Sequence, residues 1–398
     1  MTTTISTAAP AATWKSRLGV VAVMMGIFSI VTTEILPIGL LPPIADEFGI
    51  SAGTAGLTMT IPGFVAAVAA PAVTVASGRI DRRTMLCVLM AVLAVADFLA
   101  ASAQAYWMML VSRVLVGLTI GGFWSIGAGL AGRLVPERSV ARATAVIFAA
   151  VPLGSVLGVP AGTFIGHLAG WRTSFLAMGL LTLGILAALV LVLPPLPVTQ
   201  VTRLNVLWQV IRAPQAQIGL VATALIVTAH FGTYTYVTPF LEQVGGVDAG
   251  LVGAFLLAYG VAGIAGNFVA GATIPRSLRS TFACCACALA AATLLLPLAG
   301  AWSLGLLVVW GLAYGAVPVC SQTWFTRSAP QAQEAAMVVF TSSFQATLSF
   351  GALLGGVVVD ATSTSTVMVL GGLLAILAAA TIALRGNGQP TETRSSPA

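Results

Sequence analysis

Twelve runs of apolar residues, each long enough to cross the ~30 Å hydrocarbon core of a bilayer, leave this chain almost no other way to fold. They fall at 18–40, 52–76, 84–104, 106–132, 141–166, 173–194, 215–240, 249–274, 281–300, 302–326, 335–359 and 364–384. Short polar or turn-bearing stretches separate them: "SGRIDRR", "SAQAY", "RLVPERS", "GHLAGWR" and "PRSLR". Composition closes the alternative of a water-soluble globule, because 58% of the residues are hydrophobic and 7% charged, and a soluble domain carries about 25% charged. So few polar side chains cannot cover a wetted surface. The expected fold class is an all-α membrane protein with twelve transmembrane helices. Residues 1–14 are small and polar without a cleavage-site pattern, and the first apolar run is too long for a signal-peptide core.

The sequence pI near 9.4 points to membrane topology rather than nucleic acid, since the chain has a single lysine, Lys15, and no basic run outside short loops. Lys15 and Arg17 precede the first run. Arg79, Arg82 and Arg83 follow the second, and Arg133, Arg138 and Arg142 surround the loop after the fourth. Arg203 and Arg212, Arg276 and Arg279, Arg327, and Arg385 and Arg394 follow runs six, eight, ten and twelve. Alternating crossings place all of these, fifteen of the seventeen basic residues, on one side; Arg172 is on the other and Arg113 lies within a run. The asymmetry predicts that both termini are cytoplasmic.

The two halves of the chain echo each other. "RLVPERSVARATAV" after the fourth run matches "RSAPQAQEAAMVV" after the tenth, with Arg133 and Pro136 against Arg327 and Pro330. The fifth run carries Gly154, Gly158 and Gly162; the eleventh carries Gly351, Gly355 and Gly356. An offset of about 194 residues predicts two six-helix pseudo-repeats in parallel orientation, the architecture of a transporter with a site between its halves. The expected organisation is a tail at 1–17, a bundle at 18–194, a cytoplasmic linker at 195–214, a second bundle at 215–384 and a tail at 385–398.

Away from the ends of the spans the charged residues are Glu34, Asp97 and Arg113. At 1.5 Å per residue, Glu34 and Arg113 lie ~9 Å and ~10 Å from the outer ends of their helices, and Asp97 falls at a similar level. A common depth permits Arg113 to pair with a carboxylate, which lowers the cost of burying both. A fixed pair would only specify packing. A carboxyl exposed alternately to the two sides would carry a proton, because burial favours its neutral form and a nearby arginine its charged form. Glu34 is the expected proton carrier with Arg113 as its partner, and Asp97 the expected static group.

The seventh run, "TAHFGTYTYVTPFLEQ", sets His230 and Tyr234 four residues apart on one helix face, with Thr233 beside them. Such a stripe suits a hydroxylated solute; it equally suits hydrogen bonding between helices. Phe123, Trp124, Asn267 and Gln345 are further candidates for the substrate site. Pro62, Pro160 and Pro239 are expected to kink helices that must rock. The five cysteines, "CCAC" at 284–287 included, all lie in apolar runs without a nearby His or acid, so they read as small packing residues. No metal or other cofactor is expected. One lysine at position 15 leaves no phosphate-binding loop for an ATP-driven pump, and His167 and His230 supply no zinc-enzyme motif. The chain is expected not to be an enzyme.

Taken together, "TTEILPIGLLPPIA", "SGRIDRRTML", "RVLVGLTIGGFWS", "GSVLGVPAG" and "TAHFGTYTYVTPFL" resemble the major facilitator superfamily, in its drug:H⁺ antiporter group and sugar-efflux or arabinose-efflux permease branch. The resemblance runs end to end. It implies a proton-driven, rocker-switch efflux pump, a monomer in a bacterial inner membrane, whose partners are a small-molecule substrate, protons and the lipid bilayer. A sugar or nucleoside is the expected cargo, with a chloramphenicol-type or other lipophilic drug as the alternative. In the loop after span two the family places Gly-x-x-x-Asp-Arg-x-Gly-Arg-Arg. Here Arg82 and Arg83 fit its end, while Gly78 stands in the acidic place and Asp81 in that of the second glycine. Arg113 with Gly117 matches the span-four motif. Gly154, Gly158, Pro160 and Gly162 match the antiporter motif of span five, with the proline one place late.

Overall fold

The computed structural model describes residues 14–76, 80–127, 130–136, 139–197 and 204–385. Gly78, Arg79, Arg138, Arg203 and Arg394 lie outside the described residues, as do most of both tails and residues 198–203 of the linker.

Span one is the helix Trp14–Ile35 continued by Pro37–Phe48, and span two is Ala52–Ala55 continued by Leu57–Ala76. Spans three, four and six are Arg82–Ala101, Tyr106–Gly127 and Trp171–Val192. Span seven is Pro214–Tyr234 with Val237–Gln243. Spans eight to twelve are Ala249–Thr273, Leu278–Leu295, Ser303–Ser328, Gln333–Ala361 and Thr364–Arg385. A short helix, Leu204–Arg212, leads into span seven.

Eleven unbroken helices among the described residues are long and apolar enough to cross a membrane. Span five is the twelfth crossing, in pieces: Val140–Phe148, Ala150–Leu153, a π-helical turn at Gly154–Gly158, and Val159–Ala169. Its prolines explain the breaks. Pro152 and Pro160 have no N–H for the carbonyls of Phe148 and Val156 four residues back. Pro37 and Pro239 act alike on Thr33 and Thr235, and span one breaks at Leu36 and span seven at residues 235–236. Pro62 sits inside the continuous helix Leu57–Ala76, and span two is interrupted at Gly56, a residue of weak helix propensity.

The packing repeats between the halves. Span two lies on four, three on six, and one on five; correspondingly eight lies on ten, nine on twelve, and seven on eleven. Close approach relies on missing side chains, with Gly311 and Gly315 against the backbones of Tyr259 and Gly263. The halves meet along two related seams, span two against eleven and span five against eight.

On the face opposite the chain termini the halves are tied together. Ser51 Oγ donates to the Asp360 carboxylate at 2.6 Å, and the Gly53 N–H donates to its other oxygen at 2.9 Å. Thr238 Oγ1 donates to the Ile38 carbonyl at 2.8 Å, an acceptor freed because Pro42 has no N–H. On the face of the termini, one Asp81 oxygen caps span three by accepting from the N–H groups of Arg83 and Thr84 at 3.0 and 3.3 Å. The other accepts the Leu196 N–H at 2.6 Å. Arg83 donates to the Val190 carbonyl at the end of span six at 2.6 Å. Asp81, Arg82 and Arg83 therefore fasten the chain leaving span six onto span three.

Candidate functional site

Consecutive residues of span one point to different partners. Thr33 turns into the first half, where its hydroxyl donates to Asp97 at 3.3 Å. Thr182 of span six donates to the same carboxylate oxygen at 3.4 Å and is itself 2.6 Å from Ser29. Glu34, 6% exposed, turns to the seam. There Gln345 of span eleven and Tyr314 of span ten lie within electrostatic reach of its carboxyl.

Arg113 is fully buried, and the expectation of a direct ion pair with a carboxylate is corrected here. Among the described residues the only ion pair joins Arg172 to Glu47 at the opposite face. Arg113 Nη1 donates instead to the Thr33 carbonyl at 2.9 Å, and its guanidinium lies 5.2 Å from the Phe175 ring. Asp97 and Glu34 act on it only through their charge fields. The carbonyl wins because Pro37 has left it without its helical donor.

His230 lies in an aromatic box inside the second half. Its Nδ1 accepts from Trp310 Nε1 at 3.1 Å, so the ring proton belongs on Nε2, 3.5 Å from the Tyr259 hydroxyl. The Tyr314 ring stacks on the imidazole with centroids 3.2 Å apart. Tyr234 stacks at 5.0 Å from His230 and 4.5 Å from Tyr259. Tyr314 is the half-buried member, and its ring closes the box toward Glu34.

The other expected site residues are not brought together. The Thr233 hydroxyl is spent on the carbonyls of Ala229 and His230, both at 2.8 Å, and its methyl abuts Gly371 of span twelve. Phe123 is buried against Gly26 inside the first half, and Trp124 packs on the same core. Asn267 is half-buried near the end of span eight that faces the chain termini. Gly154, Gly158 and Gly162 seat span five on Val31, Thr32 and Leu36 of span one, and Pro160 sits just beyond the π turn.

Sequence inspection missed Tyr259, Trp310, Tyr314, Ser349 and Asp360. A signal existed for two of them, since Trp310 and Tyr314 repeat on span ten the four-residue spacing of His230 and Tyr234.

Purine ribonucleoside efflux pumps named NepI are similar to this chain along nearly its whole length. The protein of Escherichia coli K12 is 30% identical over 374 residues, covering 93% of this chain and 94% of that protein. The protein of Shigella dysenteriae serotype 1 is also 30% identical, covering 93% and 95%. Among solved structures, a bacterial homologue of the human lysosomal transporter Spinster, inward-facing and unoccupied, aligns with a TM-score of 0.72 at 15% identity, covering 94% of this chain and 97% of that one. The human organic anion transporter MFSD10 aligns at 0.69 and 16%, covering 92% and 99%; both show the shared fold. Residues 22–338 match the family model described as Major Facilitator Superfamily. With twelve helices in two repeated sets and a match over most of its length, the chain belongs to the Major Facilitator Superfamily.

Proposed function

We propose that this protein exports a purine-nucleoside-type solute in exchange for protons, by alternating access between its two six-helix halves. The reading is carried by the position of Glu34, which belongs to the first half, is buried, and lies within electrostatic reach of Gln345 and Tyr314 of the second. A carboxyl on a seam changes its surroundings whenever the halves rock, which is the requirement for loading a proton on one side and releasing it on the other. Asp97, enclosed by Thr33 and Thr182 within one half, suits a fixed structural role.

The relatives' names support both cargo and direction. The side chains on the seam support them chemically, because Gln345, Tyr314 and Ser349 are polar and uncharged, a match for a neutral hydroxylated solute. A purely lipophilic drug would leave these groups without partners, at about 1–3 kcal/mol each. The basic loops support a reading with both termini in the cytoplasm. The face tied by Asp360 and Thr238 is then periplasmic, and it is closed in the arrangement described. One proton moving down ~100 mV supplies ~2.3 kcal/mol, a concentration ratio of roughly fifty for an uncharged solute.

Proteoliposomes loaded with guanosine test the proposal. An imposed proton gradient is expected to drive guanosine uphill in the wild type. Glu34→Gln abolishes that driven transport and leaves guanosine exchange across the membrane intact. Unchanged uphill transport in the variant removes the proton role, and absence of guanosine movement in the wild type removes the substrate class.

A further inference from the structure

Nine buried side-chain N and O atoms among the described residues have no hydrogen-bond partner, and four of them are Glu34 Oε1, Gln345 Oε1, Ser349 Oγ and the Tyr314 hydroxyl. These four come from spans one, ten and eleven, and so from both halves. Gln345 and Ser349 stand one turn apart on the same face of span eleven, and both border Gly63 of span two. An unpaired buried oxygen costs about 1–3 kcal/mol, so a native fold that gathers four of them on a moving seam is holding places for a ligand's hydrogen atoms.

The kinds of atom say which ligand. An amide carbonyl accepts only, an ionised carboxylate accepts only, and a serine or tyrosine hydroxyl can accept as readily as donate. Gln345 Oε1 has no partner within the protein, which leaves this carbonyl for something else. A set rich in acceptors and spaced along one helical turn asks for a ligand with neighbouring O–H donors, and a vicinal diol has that pattern. The aromatic box borders the same place. Tyr314 is stacked on His230 by one face and is the half-buried ring of the box, so a flat ring attached to the diol can lie against it. A sugar without a base would leave that surface unused.

Resting on the nucleoside reading above, we propose that Gln345 and Ser349 recognise the ribose 2′- and 3′-hydroxyl groups while the base lies against Tyr314, so that the protein selects ribonucleosides over 2′-deoxyribonucleosides. A site built to bond a hydroxyl rejects the analogue without it more strongly than an apolar pocket rejects a missing methylene, since its own polar atoms are left unpaired.

Calorimetric binding of guanosine, 2′-deoxyguanosine and guanine to the purified full-length protein tests this. Guanosine is expected to bind about tenfold or more tightly than 2′-deoxyguanosine. Gln345→Leu and Ser349→Ala are each expected to bring guanosine down toward the deoxy compound and to leave 2′-deoxyguanosine unchanged, with the melting temperature reported alongside. Equal affinity of the wild type for the two nucleosides overturns the diol assignment while leaving the nucleoside reading standing. Failure of all three compounds to bind overturns the nucleoside reading itself. Equal losses for both nucleosides in the variants overturn the assignment to these two residues. Should a variant not fold, the wild-type comparison decides alone.

Discussion

Arg113 acts as a substitute helix donor: its Nη1 bonds the Thr33 carbonyl at 2.9 Å, the acceptor that Pro37 leaves empty. A buried cation with no ion-pair partner is expensive. This one is held by a backbone carbonyl, an aromatic face and the field of Asp97. Because Glu34 is the next residue after Thr33, the arginine also anchors the turn that aims the carboxyl at the seam. Pro37→Ala returns an N–H to the helix and should make the arginine partly redundant. Arg113→Met is expected to cost about 1.5–3 kcal/mol in the wild type and measurably less in the Pro37→Ala background. A double-mutant cycle on thermal unfolding reads the difference, and simple additivity would show the two sites to be unlinked.

The closure opposite the termini rests on few bonds between the halves. Asp360 holds Ser51 and the Gly53 N–H, while Thr238 holds the Ile38 carbonyl. Asp360→Ala combined with Thr238→Val is expected to shift the equilibrium toward opening on that side by about 1–3 kcal/mol. Spin labels at Gln104→Cys and Thr362→Cys, in a background without the native cysteines, report the separation. An unchanged distance distribution counts against a latch.

The same face is expected to respond to pH. Glu242 lies at the end of span seven, and burial, then the like charge of Asp46 across the seam, hold its carboxyl above the ordinary value. A carboxyl raised in the closed form stabilises that form below its ordinary value, near 4.5, and the benefit is lost as pH rises through the raised one. Acid on this side should therefore favour closure, and Asp46→Asn should weaken the dependence. The same pair of spin labels read across pH checks both, and closure favoured by alkali would contradict the sign.

Glu47 carries the opposite sign. The Arg172 hydrogen bond, ahead of the effect of burial, keeps its carboxyl below the ordinary value. Its contribution is present above that value and is lost as pH falls through the lowered one. Both side chains are partly exposed, 35% and 44%, so the effect of Glu47→Gln on melting temperature should be small and should vanish at high salt. A large, salt-independent loss would mean that the Glu47 bond to Trp171, at 2.6 Å, dominates.

Gly63→Ala is expected to leave the helix intact and disturb the seam. Alanine favours a helix over glycine by about 1 kcal/mol, yet a β-carbon at this position would meet Ser349 Oγ and the Gln345 backbone carbonyl. The variant should melt below the wild-type temperature and bind guanosine more weakly. Wild-type binding would show that spans two and eleven tolerate a wider spacing.

Much of the fold was legible residue by residue. Lengths of apolar sequence, the repeat joining Arg133 and Pro136 to Arg327 and Pro330, and the prolines at 160 and 239 depend on local chemistry: transfer of side chains to hydrocarbon, and N–H groups that are missing. These determined twelve crossings, the twofold arrangement and two of the helix breaks. Rotation of each helix about its own axis was not legible. In lipid both the buried and the outward faces are apolar, so no hydrophobic stripe tells which side meets a neighbour. Only the packed structure decided that Thr33 faces Asp97 while Glu34 faces Gln345, that Arg113 serves a carbonyl rather than a carboxylate, that Thr233 turns toward Gly371, and that Tyr314 covers His230. Those outcomes follow from contacts between residues up to hundreds of positions apart, where one glycine or one orphaned carbonyl sets how closely two helices meet.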